Sequence, residues 1–112
     1  MDDETILLLL RAYAGGAFPM AAHGGADAPV RWHRPDPRAV LTVADCHVPR
    51  RLRRWLRRTA LTVRYPADVT TVMRACGAHR DETWINPVLL TAYAQLAAAG
   101  FAAAVGVYDG GR

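Results

Sequence analysis

The sequence predicts a mixed α/β fold with an incomplete sheet. Three observations carry that expectation. Apolar residues recur at i, i+3, i+4 and i+7 along several stretches, the period of an amphipathic helix. Leu61, Val63 and Tyr65 alternate instead with Thr62 and Arg64, the period of a strand. Asp109-Gly110 then follows an apolar run as a two-residue hairpin turn follows a strand. The second half of the chain therefore reads strand, helix, helix, strand, and halts at a turn. A hairpin needs a returning strand, and only Gly111 and Arg112 remain. The order is that of a sheet cut short, whose last strand would show an unpaired edge.

The elements follow in order. A helix is expected from about Glu4 to Ala14, capped by Asp2, Asp3 or Thr5 and stopped by Gly15-Gly16. Ile6, Leu9, Leu10 and Tyr13 form its buried stripe. Phe18-Pro19-Met20 and a flexible turn through Gly24-Gly25 and Pro29 come next. Val30–His33 and Ala39–Val43 are short strand candidates. After the alternating strand, Pro66 is a stop and Asp68 a helix cap. Val69, Val72, Met73 and Cys76 give that helix a stripe, and Gly77 closes it. Asn86 caps a further helix with Pro87 in its first position. Leu89, Tyr93, Leu96 and Ala97 share one of its faces, and Gly100 ends it. Phe101–Tyr108 reads as the final strand, bulged at Gly106.

The densest signal lies between the halves. Residues 50–58 hold six arginines: Arg50, Arg51, Arg53, Arg54, Arg57 and Arg58. Val48, Leu52, Trp55 and Leu56 stand at i, i+4, i+7 and i+8, so this is a helix expected to dock by a Leu/Trp stripe with its arginines outward. Guanidinium groups this close repel one another unless polyanions gather there, and phosphate suits their planar fork. No acidic residue interrupts the stretch between Asp45 and Asp68. A nucleic-acid backbone is the leading reading, ahead of a merely solvated face or an anionic membrane.

Composition sets bounds. A chain of 112 residues with 52% hydrophobic side chains is one domain, or part of a larger one, and can hold a packed core. Its formal charge is +4, and all fourteen of its basic side chains are arginine. No serine occurs, which excludes a Ser-His-Asp hydrolase built from this chain alone. Cys46 and Cys76 make no disulfide framework. The acidic start and the short apolar run Ile6–Leu10 suit neither a signal peptide nor a membrane span, so cytoplasmic residence is expected.

Several separated motifs then agree. They are Leu8-Leu9-Leu10-Arg11-Ala12-Tyr13, Gly16-Ala17-Phe18-Pro19-Met20, Trp32 and Pro35-Asp36-Pro37-Arg38. His47-Val48-Pro49-Arg50-Arg51-Leu52-Arg53-Arg54, Ala75-Cys76, Thr83-Trp84-Ile85-Asn86-Pro87 and Ala92-Tyr93 continue the set. In this order they resemble the leucyl/phenylalanyl-tRNA–protein transferases, bacterial enzymes that add Leu or Phe to protein N-termini. The resemblance implies a small N-terminal domain (1–59, ending in the arginine helix) and the first half of a GNAT-like acyltransferase domain (60–112). It implies Leu-tRNA or Phe-tRNA as donor, acceptor proteins beginning with Arg or Lys, a role in N-degron turnover, and a monomer when complete. It implies no cofactor and no membrane.

By the same resemblance, Trp84 and Tyr93 help line the site for the aminoacyl end and terminal adenosine of tRNA, with Met20 near the aminoacyl pocket. An aromatic face suits a base or an apolar side chain, although Tyr93, at helical spacing from Leu89 and Leu96, also reads as core. A flexible Met suits a pocket that takes both Leu and Phe. The six arginines match the family's tRNA-holding cluster, and Trp55 reads as a docking residue. The family's catalytic residues lie beyond Arg112, so none is assigned here, and the chain alone is expected to be inactive and marginally folded. Cys46-His47 and Cys76-x-x-His79 make a poor zinc set because the first pair is adjacent. Cys76 reads as a buried thiol and Asp81-Glu82 as solvated. The rival from another class is a stand-alone basic RNA-binding module without chemistry.

Overall fold

The computed structural model describes residues 3–110. The expected cap Asp2 and the terminal Gly111-Arg112 lie outside the described residues. Within them are four helices and four strands in two small antiparallel sheets, so the class is mixed α/β and the sheets are open.

Helix α1 (Asp3–Ala14) opens on Asp3 and Glu4, which suit the positive end of its dipole. Gly16 follows in the left-handed region at φ 88°, and the chain turns into β1 (Phe18–Ala21). β1 pairs with β2 (Val30–His33), with Phe18 opposite His33 and Ala21 opposite Val30. β2 lies where its sequence pattern puts it. β1 carries a proline and so lacks a clear strand signal, but a two-stranded ribbon has only edge strands, which tolerate one. The Phe18 and His33 rings stack at 5.9 Å, and the Arg38 guanidinium lies 5.7 Å over Phe18. Arg38 Nη2 also donates to the Gly16 carbonyl at 2.6 Å.

Ala39–Val43 forms no strand, contrary to expectation. Val40, Leu41 and Val43 are exposed. Their β-propensity finds no partner edge, and Thr42 closes a local turn instead. Its hydroxyl donates to Asp45 Oδ2 at 2.5 Å, and its carbonyl accepts from Asp45 N–H at 3.1 Å. The arginine helix α2 (Arg50–Arg58) forms as expected. Its apolar stripe, however, does not dock. Leu52, Trp55 and Leu56 are 44%, 50% and 52% exposed, so Trp55 is not a docking residue among the described residues. Periodicity tells which side of a helix is apolar; it does not supply the surface that covers it.

β3 (Leu61–Ala67), α3 (Val69–Ala78), α4 (Pro87–Ala98) and β4 (Ala104–Asp109) follow. β3 runs through Pro66 rather than ending there. Its register with β4 holds from Leu61 opposite Asp109 to Arg64 opposite Gly106, then shifts to Ala67 opposite Ala104. Tyr65 and Pro66 thus oppose Val105 alone, which puts the bulge on β3 and not at Gly106. Pro66 has no N–H to give the ladder. Gly106 has a different task. The Tyr108 ring folds over it so closely that a Cβ there would lie 2.5 Å from a ring carbon, and Arg64 covers the ring at 4.4 Å.

Both later helices carry the expected caps. Asp68 accepts from Thr71 N–H, and Asn86 from Leu89 N–H, each at 3.0 Å. α4 closes in a Schellman turn: Gly100 at φ 85° donates to the Ala97 carbonyl, and Phe101 N–H to that of Leu96 at 2.8 Å. That turn holds Phe101, so the last strand starts at Ala104, later than its apolar run suggests.

α4 is the centre of the core. Leu9, Ala92 and Leu96 form one buried cluster; Ala21, Ala28 and Leu89 form another. Tyr93 packs against both. Three of these six side chains are alanine, so the core is thin. The accessible surface is 8887 Å², against about 6,100 Å² for a compact monomer of this mass. The radius of gyration, 16.6 Å, likewise exceeds the roughly 13 Å of a compact chain of this length. Much of the excess is α2 with its preceding loop, and the β3–β4 ribbon, where Val63, Tyr65, Val105 and Val107 are exposed.

Candidate functional site

One hollow lies where α1, α3, α4 and the chain leading into β4 meet. Its volume is about 520 Å³. The aromatic wall is Tyr13, Trp84, Tyr93 and Phe101. Val69, Val72 and Met73 supply the α3 side. Trp84 and Tyr93, singled out from the sequence, therefore share one cavity.

Local structure fixes each wall. Trp84 precedes the Asn86 cap, and its carbonyl accepts from Ala21 N–H at 3.0 Å, which ties it to β1. Thr83 Oγ1 accepts from Ile85 N–H at 3.1 Å and tightens the same turn. Tyr93 stands two turns into α4 at the junction of the two core clusters. Core packing and pocket lining are thus the same residue's work. Its hydroxyl is hydrogen-bonded to that of Tyr13, and the rings meet edge to face at 6.5 Å and 67°. Burial, and then this hydrogen bond, push the Tyr93 phenol far above its usual range. It is therefore a neutral hydrogen-bonding group and not a base.

Met20 lies elsewhere. It lines a shallow depression of about 220 Å³ with Ala21, Ala22, Glu82, Thr83 and Trp84. Trp84 is the wall common to both spaces. Tyr13, Phe101 and the Val69-Val72-Met73 stripe were not read as site residues. Their apolar spacing marked them as core-facing, and nothing in a periodicity separates a covered stripe from one that walls a cavity.

α2 holds all six of its arginines on an exposed helix, and among the described residues no carboxylate is paired with any of them. Cys46 and Cys76 are free and exposed. The exposure of Cys76 corrects the expectation of a buried thiol: the two-stranded ribbon is too narrow to cover that end of α3. Among the described residues no three His, Cys, Asp or Glu side chains gather to hold a metal ion, and no helix is long and apolar enough to cross a membrane.

The chain is thus of mixed α/β class, with a basic helix and an aromatic-walled apolar hollow. The sequence comparisons narrow the class. Residues 2–36 match the leucyl/phenylalanyl-tRNA protein transferase N-terminal domain, and residues 40–112 the leucyl/phenylalanyl-tRNA protein transferase family itself. This chain belongs to that family. A leucyl/phenylalanyl-tRNA–protein transferase of Salinibacter ruber is 43% identical over 98% of this chain and 47% of its own length. A Dinoroseobacter shibae relative of the same name is 47% identical over 93% and 46% respectively. One from Rubrobacter xylanophilus is 44% identical over 92% and 52%. The chain thus spans about half the length of the curated relatives it matches.

Proposed function

We propose that this chain contributes the part of an aminoacyl-tRNA–protein transferase that holds the donor's 3′ end. The cavity shared by Trp84 and Tyr93 carries the reading. Its apolar walls suit a leucyl or phenylalanyl side chain, and its aromatic faces suit the terminal adenosine. Met20 lines the separate depression that shares Trp84 with this cavity. The arginines of α2 engage phosphates of the acceptor stem, where charge serves and base reading is not needed. Residues 1–59 then form the N-terminal domain, and residues 60–112 the first half of an acyltransferase-like domain.

In the reaction, the α-amine of an acceptor protein beginning with Arg or Lys attacks the ester carbonyl. A C–N bond forms, the ester C–O bond breaks, the amine gives up a proton, and the tRNA 3′-oxygen takes one. The ester is already activated, so holding the two substrates together supplies much of the acceleration. Within this chain the described hollow offers phenols and an indole N–H, which bind and orient. Acid–base groups are assigned to none of its residues. The setting is the cytoplasm, and the complete protein acts as a monomer without a cofactor.

The experiment is binding of Leu-tRNA to the 112-residue chain across a salt series, with deacylated tRNA in parallel. Tighter binding of the leucylated form is the expected result. Equal affinity for both forms would leave only backbone attraction and overturn the pocket's part. In a transfer assay from labelled Leu-tRNA to an Arg-starting peptide, the chain alone is expected to be inactive.

A further inference from the structure

We infer that α2 is an interfacial helix: its Leu52/Trp55/Leu56 stripe seats on an anionic phospholipid surface, with Arg51 and Arg53 at the headgroup phosphates on either side. This partner is additional to the RNA of the reading above and does not depend on it. α2 has two kinds of surface, and they do not mix. At about 100° per residue, Leu52, Trp55 and Leu56 fall within one arc of about 100°, and all six arginines lie outside it. Arg51 borders the arc beside Trp55 and Arg53 beside Leu56, while Arg50, Arg54 and Arg57 stand on the opposite side. No residue of the helix is buried, and among the described residues no other element packs extensively on it. The loop before it adds Val40, Leu41 and Val43, all exposed. The acids that flank the segment are engaged locally, Asp45 by Thr42 and Asp68 by Thr70 and Thr71.

RNA phosphates satisfy the arginines and leave the stripe in water. A second copy of α2 would cover the stripe, but it would bring six more arginines beside the first six, with no acid on either helix to offset them. A bilayer surface made partly of anionic lipid supplies both halves at once: acyl chains for Leu and Trp, phosphates for the bordering guanidinium groups. Trp suits this depth, its indole being apolar in body and polar at its N–H. Arg51 and Arg53 can lay their methylene stems along the acyl boundary and keep their charge among the headgroups. The nine residues of α2 make a rod of about 14 Å, too short to cross a hydrocarbon core of about 30 Å, so the helix lies along the surface. That orientation turns Arg50, Arg54 and Arg57 away from the lipid, where RNA phosphates stay within their reach.

The test is co-sedimentation of the full chain with vesicles of phosphatidylcholine containing one quarter phosphatidylglycerol, against vesicles of phosphatidylcholine alone, both at physiological salt. Retention by the anionic vesicles is expected to be at least about tenfold tighter than by the neutral ones. Trp55→Ala should weaken it about tenfold, while affinity for deacylated tRNA stays that of the natural chain. Trp55→Phe keeps the apolar bulk and should hold most of the retention. It should also abolish the blue shift of Trp emission that the natural chain shows on anionic vesicles, which assigns that shift to Trp55 and not to the exposed Trp32. Equal retention by the two kinds of vesicle, undiminished retention in Trp55→Ala, or an emission shift that survives Trp55→Phe overturns the proposal. Parallel loss of tRNA affinity in Trp55→Ala overturns it by assigning Trp55 to the RNA. A dimer on sizing chromatography that Trp55→Ala dissolves overturns it by giving the stripe to a second copy.

Discussion

The side-chain amide of Asn86 donates to the carbonyl of Gly25 at 3.3 Å, across 61 positions of sequence. Its Oδ1 meanwhile caps α4 through Leu89 N–H. Asn86 is 1% exposed, and by these two bonds it joins the N-terminal ribbon's loop to the start of the central helix.

Asn86→Ala should therefore lose more than a helix cap. Removing the cap and leaving the Gly25 carbonyl short of a donor is expected to cost about 2–3 kcal/mol. Asn86→Asp keeps the cap but turns a donor into an acceptor facing a carbonyl, and should also be destabilised. Urea unfolding followed by circular dichroism measures both.

Asp68 gives the pH dependence. Hydrogen bonds from Thr71 and Thr70 hold its carboxyl below the usual carboxylate range. A depressed folded-state value contributes stability that is fully present above the unfolded value, about pH 4, and is lost as the pH falls through the folded value. The stability difference between the natural chain and Asp68→Asn should accordingly shrink on acidification from pH 5 to about pH 2. Thermal melts at half-unit steps would show it; a constant difference would mean that the cap's charge plays no part.

Trp55→Ala should leave stability within about 0.5 kcal/mol of the natural chain, since the stripe it belongs to is uncovered. Equilibrium unfolding is the check, and a loss of several kcal/mol would restore the docking role that the helix's periodicity suggests.

Arg53→Gln and Arg57→Gln should each weaken binding to any tRNA about equally and lower the salt slope by about one. Fluorescence anisotropy across a salt series reads it. An unchanged slope would place the RNA elsewhere.

Trp84→Ala should weaken binding of an aminoacyl-adenosine analogue at least about tenfold, in line with loss of one stacking face. Calorimetry on the folded variant measures it, and Met20→Ala gives the comparison from the other side of the Trp84 wall.

Much of this molecule is legible in its sequence, and the reason is local chemistry. Asn86-Pro87, Asp68 and Gly100 announce caps and a stop that need no long-range partner. The 3.6-residue period placed α2, and the two-residue period found β3. What failed needed knowledge of neighbours. Ala39–Val43 has strand composition but no edge to join. The stripe of α2 and the thiol of Cys76 were expected under cover that the described chain does not supply. In the hollow, Trp84 and Tyr93 were found through a family pattern. Tyr13 looked like ordinary helix packing, because a hydroxyl contact between residues 80 apart leaves no trace in spacing.

The bare β3–β4 ribbon also bears on how the molecule behaves in company. Among the described residues, each of its two strands has one flank whose N–H and C=O groups meet no other strand. Val63, Tyr65, Val105 and Val107 stand on its surface. Two such ribbons can zip flank to flank into a four-stranded intermolecular sheet, with +4 of charge per chain as the main restraint. Salt that quenches this repulsion should therefore also lower the concentration at which the protein begins to precipitate.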